Sequence, residues 1–250
     1  MKQNIKDAYN KLGHEYYKAR KYKKGISHFY NECLEMPTTL RLLGNVKSKK
    51  ILDVGCGPGI YARILSENGA KVKGIDISKR LIEIANKEAP ESEFTIGNAE
   101  ELPYKDKEFD IVMSALMLGH IEDWNKIFSE IKRVLKHKGI FVFSINNPIV
   151  LKTVKRNWFF KTFDEITDYF NEGWIHSKWS GEITGQKTST VVSEHHKTYG
   201  TIVRVILNNG FEILDYEDSK PILSSKKNYP KQYIKTINRP NFCTWKVQKK

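Results

Sequence analysis

Long apolar runs are the first thing this chain of 250 residues lacks. No stretch approaches the roughly 20 apolar residues of a membrane-spanning helix, so no membrane span is expected. The N-terminal MKQNIKDAYNKLGHEYYKARKYKK has no apolar core of the kind a secretory leader carries. Cysteine is scarce, and Cys33, Cys56 and Cys243 are widely spaced. They form neither a disulfide framework nor a metal-ligand pattern, which points to a reducing, cytoplasmic setting with no bound metal. Internal repeats, low-complexity tracts and interdomain linkers are also missing, so residues 1–250 read as one domain, a monomer or a homodimer.

Acidic residues are in deficit: 29 Asp and Glu stand against 42 Lys and Arg, a net charge of +13. A basic chain can bind nucleic acid, anionic membranes or acidic substrates. Here the lysines are scattered, with denser patches at 18–24, at 226–235 and at the C-terminus. No RNA-binding signature accompanies them, so a lysine-rich solvated surface is the plainer reading and a nucleic-acid partner is disfavoured. What the chain does have is 40% hydrophobic and 12% aromatic residues, enough for a substantial core.

Apolar positions at Ile5, Ala8, Tyr9, Leu12 and Tyr16 predict a helix. A second helical stretch spans about 29–43, interrupted near Pro37. From residue 49 strands and helices alternate. KKILDV reads as a buried strand, YARILSE as a helix, KVKGIDI as a strand and the segment after Ser78 as a capped helix. SEFTIGN and FDIVMSAL follow as strands. Asp123 caps an amphipathic helix running to Leu135, with Gly139 just past its end. IFVFSI is a fifth strand, Thr198 caps a helix ended by Gly210, and FEILDYED and NFCTWKVQ complete seven strands. Such alternation predicts an α/β fold with a mostly parallel sheet covered on both faces. Residues 147–187 break the rhythm with an irregular stretch rich in aromatics, among them Trp158, Phe159, Phe160, Phe163, Tyr169, Phe170, Trp174 and Trp179. An insertion of that length in a compact domain is usually functional.

The stretch LDVGCGPGI puts Gly55, Gly57 and Gly59 directly after the first strand, where ligands of open parallel sheets bind. Three ligand classes compete. A P-loop needs Gly-Lys-Ser/Thr at the loop end, and Ile60 and Tyr61 follow Gly59 instead. A dinucleotide fingerprint needs a third glycine at position 60, which is Ile60. The loop also lacks a cation. A nucleoside of little anionic charge remains, with Asp76 at the end of the second strand able to accept both ribose hydroxyls.

LDVGCGPG, GIDIS, GNAEELPYKDKEFDIVMS and LKHKGIFVFS, taken together, resemble the successive motifs of class I S-adenosylmethionine-dependent methyltransferases over roughly residues 38–145. A looser match continues through EHHKTYGTIVRVILNNGFEI. The branch most resembled is the small-molecule methyltransferases of the ubiquinone- and menaquinone-biosynthesis type. The resemblance implies S-adenosyl-L-methionine as cofactor, leaving as S-adenosyl-L-homocysteine. It implies a three-layer α/β sandwich whose seventh strand is antiparallel, an N-terminal helical cap over 1–45 and a lid over 147–197. It also implies that Gly55, Gly57 and Gly59 let methionine and ribose approach the backbone, and that Asp53 supports the loop and the methionine amino group. Asp76 would hold the ribose, Ile77 would touch the adenine face, and Asn98, Ala99 and Glu100 would edge the adenine. Met113, Ser114 and Ala115 would face the sulfonium.

Methyl transfer needs alignment above all, and a base only for a hydroxyl or protonated amine. His120, just past the fourth strand, is a candidate general base or a structural histidine bonding the loop backbone. His196 is a second candidate base, and His195 a candidate for the acceptor pocket; both can equally belong to a solvated edge. Tyr9, Tyr16 and Tyr17 on the first helix, with Tyr169 and Trp174 in the insertion, are candidates for the substrate side, against plain packing. Asp164, Glu165 and Asp168 can meet a cationic acceptor or be solvated. The leading reading is methyl transfer to a small-molecule O, N or C nucleophile. An RNA methyltransferase and a non-catalytic binding protein of the same fold are the alternatives.

Overall fold

A computed structural model describes residues 2–23, 26–158, 161–179 and 190–250. Five parallel-sheet strands come from the alternating part of the chain: β1 (Lys50–Val54), β2 (Lys71–Asp76), β3 (Glu93–Ile96), β4 (Phe109–Ala115) and β5 (Leu135–Asn146). After β5 come two hairpins, β6 (Thr153–Trp158) with β7 (Lys161–Ile166) and β8 (Gly173–Trp179) with β9 (Thr190–His196). The main sheet is completed by β10 (Phe211–Asp218) and β11 (Phe242–Lys249), in the order β10-β11-β5-β4-β1-β2-β3. β11 runs antiparallel to both of its neighbours. The chain leaves β1 toward β2 on one side and later returns to β4 on the other, so the order reverses at β1, and the glycine loop opens into that crevice.

The helices are α1 (Lys2–Lys21), α2 (Met36–Leu43), α3 (Ile60–Glu67), α4 (Lys79–Glu88), α5 (Trp124–Val134), α6 (Pro148–Leu151), α7 (Tyr199–Asn208), α8 (Ser225–Asn228) and α9 (Pro230–Thr236). Two buried clusters divide the strands by face. Leu52, Val112, Phe141 and Phe143 pack with α5 and α7 through Phe128, Ile131, Ile202 and Ile206. Ile51, Ile111, Met113 and Val142 pack with α2 and α3 through Leu42, Leu43, Tyr61 and Leu65. Neighbouring strand residues thus belong to opposite layers, as a period of two requires. Both layers are closed, giving the three-layer sandwich.

Three sequence expectations are corrected. The helix begun at Asp123 stops at Val134, and Leu135 is already extended and paired with Phe109. Residues 136–139 then bulge out before Ile140 pairs with Ile111, so Gly139 lies inside β5 rather than past the helix. Pro37 does not interrupt its helix. A π-helical stretch, Phe29–Glu35, runs straight into α2, and Pro37 falls in the first turn of α2, where its fixed φ suits the helix. The insertion is not irregular in its described part but forms the two hairpins. In β6–β7 the exposed Val154 and Ile166 and the cross-strand Lys155–Asp164 and Arg156–Glu165 pairs show no buried face, and β9 buries Val192, Ser193 and His196 without the alternation that periodicity would reveal. Phe159 and Phe160 lie outside the described residues, as do 180–189 of the expected lid.

Candidate active site

A cleft at the carboxyl ends of β1, β2 and β4 encloses about 1100 Å³ of empty space, counted out to its mouth. One wall is the backbone of the glycine loop. Gly57 has φ +53°, and a side chain there would project into open space. Gly55 has φ +76°, and a Cβ would come within 2.4 Å of the Met117 Cγ. Both therefore need glycine, one to keep the cradle open and one to let β4's following turn pack. Gly59 does not line the cleft. It opens α3, and a Cβ on it would stand 3.0 Å from the Ala85 backbone, so its role is contact between α3 and α4.

Asp76 organises this wall. Its Oδ2 accepts from the Gly57 N–H at 2.9 Å, and its Oδ1 accepts from Ser78 N–H at 2.8 Å. Burial pushes its carboxyl above the ordinary range, while those two backbone donors pull it back. Each oxygen keeps a second lone pair for a hydroxyl from the cleft. Asp53 is 2% exposed, and its Oδ2 is buried with no hydrogen-bond partner. Burial, with Asp76 and Glu35 nearby, pushes Asp53 up to about 8. An unpartnered buried carboxylate at the end of β1 fits a cationic donor group such as an ammonium. Ile77, Asn98 and Ala99 also line the cleft. The Asn98 Oδ1 accepts from Glu100 N–H at 3.1 Å, which tightens the turn there.

The facing wall is made of side chains. Tyr9 and Tyr16 from α1 line it, with Asn31 and Glu35 from the π-helical stretch and Leu116, Met117 and His120 after β4. Leu116 adopts φ +58°, a left-handed turn that costs about 1–2 kcal/mol in a residue with a Cβ. It bends the chain off β4 into the cleft. His120 Nδ1 lies 2.8 Å from the Ser193 carbonyl and its Nε2 lies 3.1 Å from the Tyr9 hydroxyl. A carbonyl can only accept, so Nδ1 carries the proton and Nε2 is the basic nitrogen facing the cleft. Behind it, Asn146 donates to Glu194 at 2.5 Å. Burial pushes Glu194 up and the nearby His120 pulls it back. The Trp179 ring, from β8, stands 6.4 Å from Tyr9 and 6.0 Å from Tyr16.

The remaining expected site residues lie elsewhere. His196 is fully buried, its Nε2 2.8 Å from the Tyr169 carbonyl, and does not reach the cleft. His195 packs on Trp174 at 5.1 Å and bonds Lys197, behind Glu194. Tyr169 accepts from the Tyr199 N–H and so supports the start of α7. Tyr17 is half-buried against the layer of α2 and α3, outside the cleft, and donates to Glu88 at the end of α4. Ser114 is fully buried and donates to the Val54 carbonyl at 2.9 Å, tying β4 to β1. Met113 is buried in the core, and of the three residues expected at the end of β4 only Ala115 lines the cleft. Both helical layers cover β4, so only residues at its very end can be reached. Glu100 is not among the lining residues.

Sequence reading passed over Arg20, Asn31 and Glu35. Arg20 is 8% exposed, donates to Glu32 at 2.7 Å and lines the cleft. Its lysine-rich surroundings, KARKYKK, disguised it as surface charge. Glu35 accepts from Thr39 at 2.6 Å and Tyr61 at 2.8 Å. Its signal was an acid isolated in the apolar run CLEMP. Asp76 and Glu35 stand against Arg20 in the cleft, with Asp53 a third acid that ionises when a cation pairs with it, which suits a ligand carrying positive charge.

Comparison with known proteins points to a methyltransferase. The family model described as "Methyltransferase domain" matches residues 52–143. A demethylmenaquinone methyltransferase of Thermotoga maritima is 28% identical over 70% of this chain and 75% of its own length. An uncharacterised protein of Haemophilus influenzae is 28% identical over 88% of each chain. The crystal structure of an S-adenosylmethionine-dependent methyltransferase from Mesorhizobium loti superposes with a TM-score of 0.72, at 26% identity over 86% of this chain and 97% of that one. These likenesses identify a methyltransferase that uses S-adenosylmethionine. Residues 52–143 form a methyltransferase domain of the S-adenosylmethionine-dependent kind, and the chain is similar to methyltransferases of menaquinone and ubiquinone biosynthesis.

Proposed function

We propose that this methyltransferase acts on a small-molecule acceptor held beneath the aromatic cap, with His120 as its general base. The observation that carries the reading is the placement of the basic Nε2 of His120 inside the cleft, under the rings of Tyr9, Tyr16 and Trp179. Such a site is built for a ligand that α1 (within the 1–45 cap) and the β8–β9 ribbon (within the 147–197 lid) can cover.

The glycine-loop wall would hold the cofactor. Asp76 would take the ribose hydroxyls, Asp53 the methionine ammonium and Arg20 the methionine carboxylate, while Ile77, Asn98 and Ala99 would border the adenine. Bound there, S-adenosylmethionine supplies a methyl group on a positively charged sulfur. The protein contributes alignment, which alone can be worth roughly 7–11 kcal/mol. Tyr9, Tyr16 and Trp179 exclude water above the acceptor. When the acceptor takes the place of the Tyr9 hydroxyl, His120 Nε2 accepts its proton, and the Nδ1–H stays on the Ser193 carbonyl. The resulting imidazolium lies beside the Glu194 carboxyl group.

This reading agrees with relatives whose names carry demethylmenaquinone and ubiquinone biosynthesis. An RNA acceptor fits less well, because its phosphates would meet an acidic cleft. The test is transfer of labelled methyl from S-adenosylmethionine in a mixture of small phenols, quinols and amines with total RNA. Label in the small-molecule fraction is expected. Label in RNA alone would overturn the assignment.

A further inference from the structure

The connection between β10 and β11, residues 219–241, holds Lys220, Lys226, Lys227, Lys231, Lys235 and Arg239 and no aspartate or glutamate. Its inner side is packed. Tyr229 and Tyr233 join the cluster around Phe29 and Leu34, and Ile222 N–H donates to the Cys33 carbonyl at 2.9 Å. Its outer side is not. Leu223 is 74% exposed and Ile234 67% exposed, and Lys226, Lys227 and Lys231 are exposed beside them. Among the described residues none of those three lysines has an ion-pair partner.

Topology puts this segment beside the cleft. β10 runs parallel to β5, because β11 is antiparallel to both, so the connection leaves the carboxyl edge of the sheet where the cleft opens. The insertion leaves β5 at the same edge. Arg239 pairs with Asp164 of that insertion at 3.6 Å, and Asn147 N–H donates to the Asn241 carbonyl at 2.9 Å. The insertion adds two more uncovered apolar side chains, Ile166 at 54% and Phe170 at 88% exposure.

We propose that this acid-free connection seats the protein on an anionic lipid surface, with Leu223 and Ile234 entering the headgroup layer and Lys226, Lys227 and Lys231 meeting anionic headgroups. Aliphatic tips ringed by unpaired lysines are complementary to that surface on both counts. A phosphodiester backbone would engage the lysines and leave the leucine and isoleucine with no favourable contact. Attachment of this kind requires no spanning segment, and no helix among the described residues is long and apolar enough to cross a membrane. It would hold the mouth of the cleft near the bilayer.

The experiment is co-sedimentation of the full chain with vesicles of phosphatidylcholine, with and without phosphatidylglycerol, over a salt series. Binding is expected only with phosphatidylglycerol and should weaken as salt rises. Each lysine near the surface is worth about fivefold, so K226E/K227E/K231E should lower partitioning on the order of a hundredfold or more. L223S/I234S should weaken binding and leave its salt dependence in place. Both variants should bind S-adenosylmethionine as the wild type does, which certifies their folding. Failure to bind phosphatidylglycerol vesicles, or equal binding to both vesicle types, would overturn the proposal. So would L223S/I234S partitioning like the wild type while the wild type binds polyuridylate at the same salt, which would assign the lysines to nucleic acid.

Discussion

The two walls of the cleft are made of different material. The glycine-loop wall is mostly backbone, held by one carboxylate that ties Gly57 to Ser78 across 21 residues of chain. The opposite wall is mostly side chain, and its contacts join positions far apart: Tyr9 to His120, His120 to Ser193, Trp179 to Tyr16. A wall fixed by local turn geometry tolerates little change, because each residue answers to φ or to a backbone donor. A wall assembled from α1, the turn after β4 and the hairpins can change one ring at a time. On the proposed reading the glycine-loop wall holds the cofactor, and acceptor choice would lie in the wall that covers it.

Substitutions that separate the walls sharpen this contrast, and the largest effect belongs to the backbone wall. Gly57→Val places a branched side chain at φ +53° in the open cradle and should remove cofactor binding from calorimetric detection. Retained cofactor binding would mean the cradle is not at Gly57. On the opposite wall, His120→Gln should lower turnover by roughly 10²–10⁴-fold, the usual contribution of a general base, with cofactor affinity nearly unchanged. If turnover holds, His120 is only the structural tie to Ser193. Asp76→Ala should weaken S-adenosylmethionine by roughly 10- to 100-fold, the cost of charged hydrogen bonds.

Asp53 supplies a pH test. In the free protein its carboxyl stays protonated up to about 8, against an ordinary 3.8. A group that binds its proton more tightly when folded stabilises at low pH, and that contribution is lost as pH rises through about 8. Thermal melts of the free protein should show this loss, and Asp53→Asn should remove it. Pairing with an ammonium lowers the Asp53 pKa, so cofactor binding near neutrality should release up to one proton. Titrations in buffers of different ionisation enthalpy measure it. Smallest of all is Tyr17→Phe. Its hydroxyl lies outside the cleft on Glu88, so activity should hold and stability should change by about 1 kcal/mol or less.

Much of this was legible because it is local. Glycine spacing, Asp76 at a strand end, and the caps at Ser78, Asp123 and Thr198 each depend on a few adjacent residues. The hairpins of the insertion escaped notice because they bury no regular face. Arg20 and Glu35 escaped because burial of a charge depends on the partners folding brings, here Glu32 for one and Thr39 and Tyr61 for the other. The histidines illustrate the same limit. His120, His195 and His196 look alike in sequence, yet of the three only His120 turns a ring nitrogen to the cleft, onto the Tyr9 hydroxyl, while the Ser193 carbonyl holds the other.

The division of labour between the walls is tested most directly by titrating S-adenosylmethionine into wild type, Asp76→Ala and His120→Gln side by side in a calorimeter. One site per chain is expected, weakened strongly in Asp76→Ala and unchanged in His120→Gln. Equal affinity in all three, or loss in His120→Gln with none in Asp76→Ala, would contradict it.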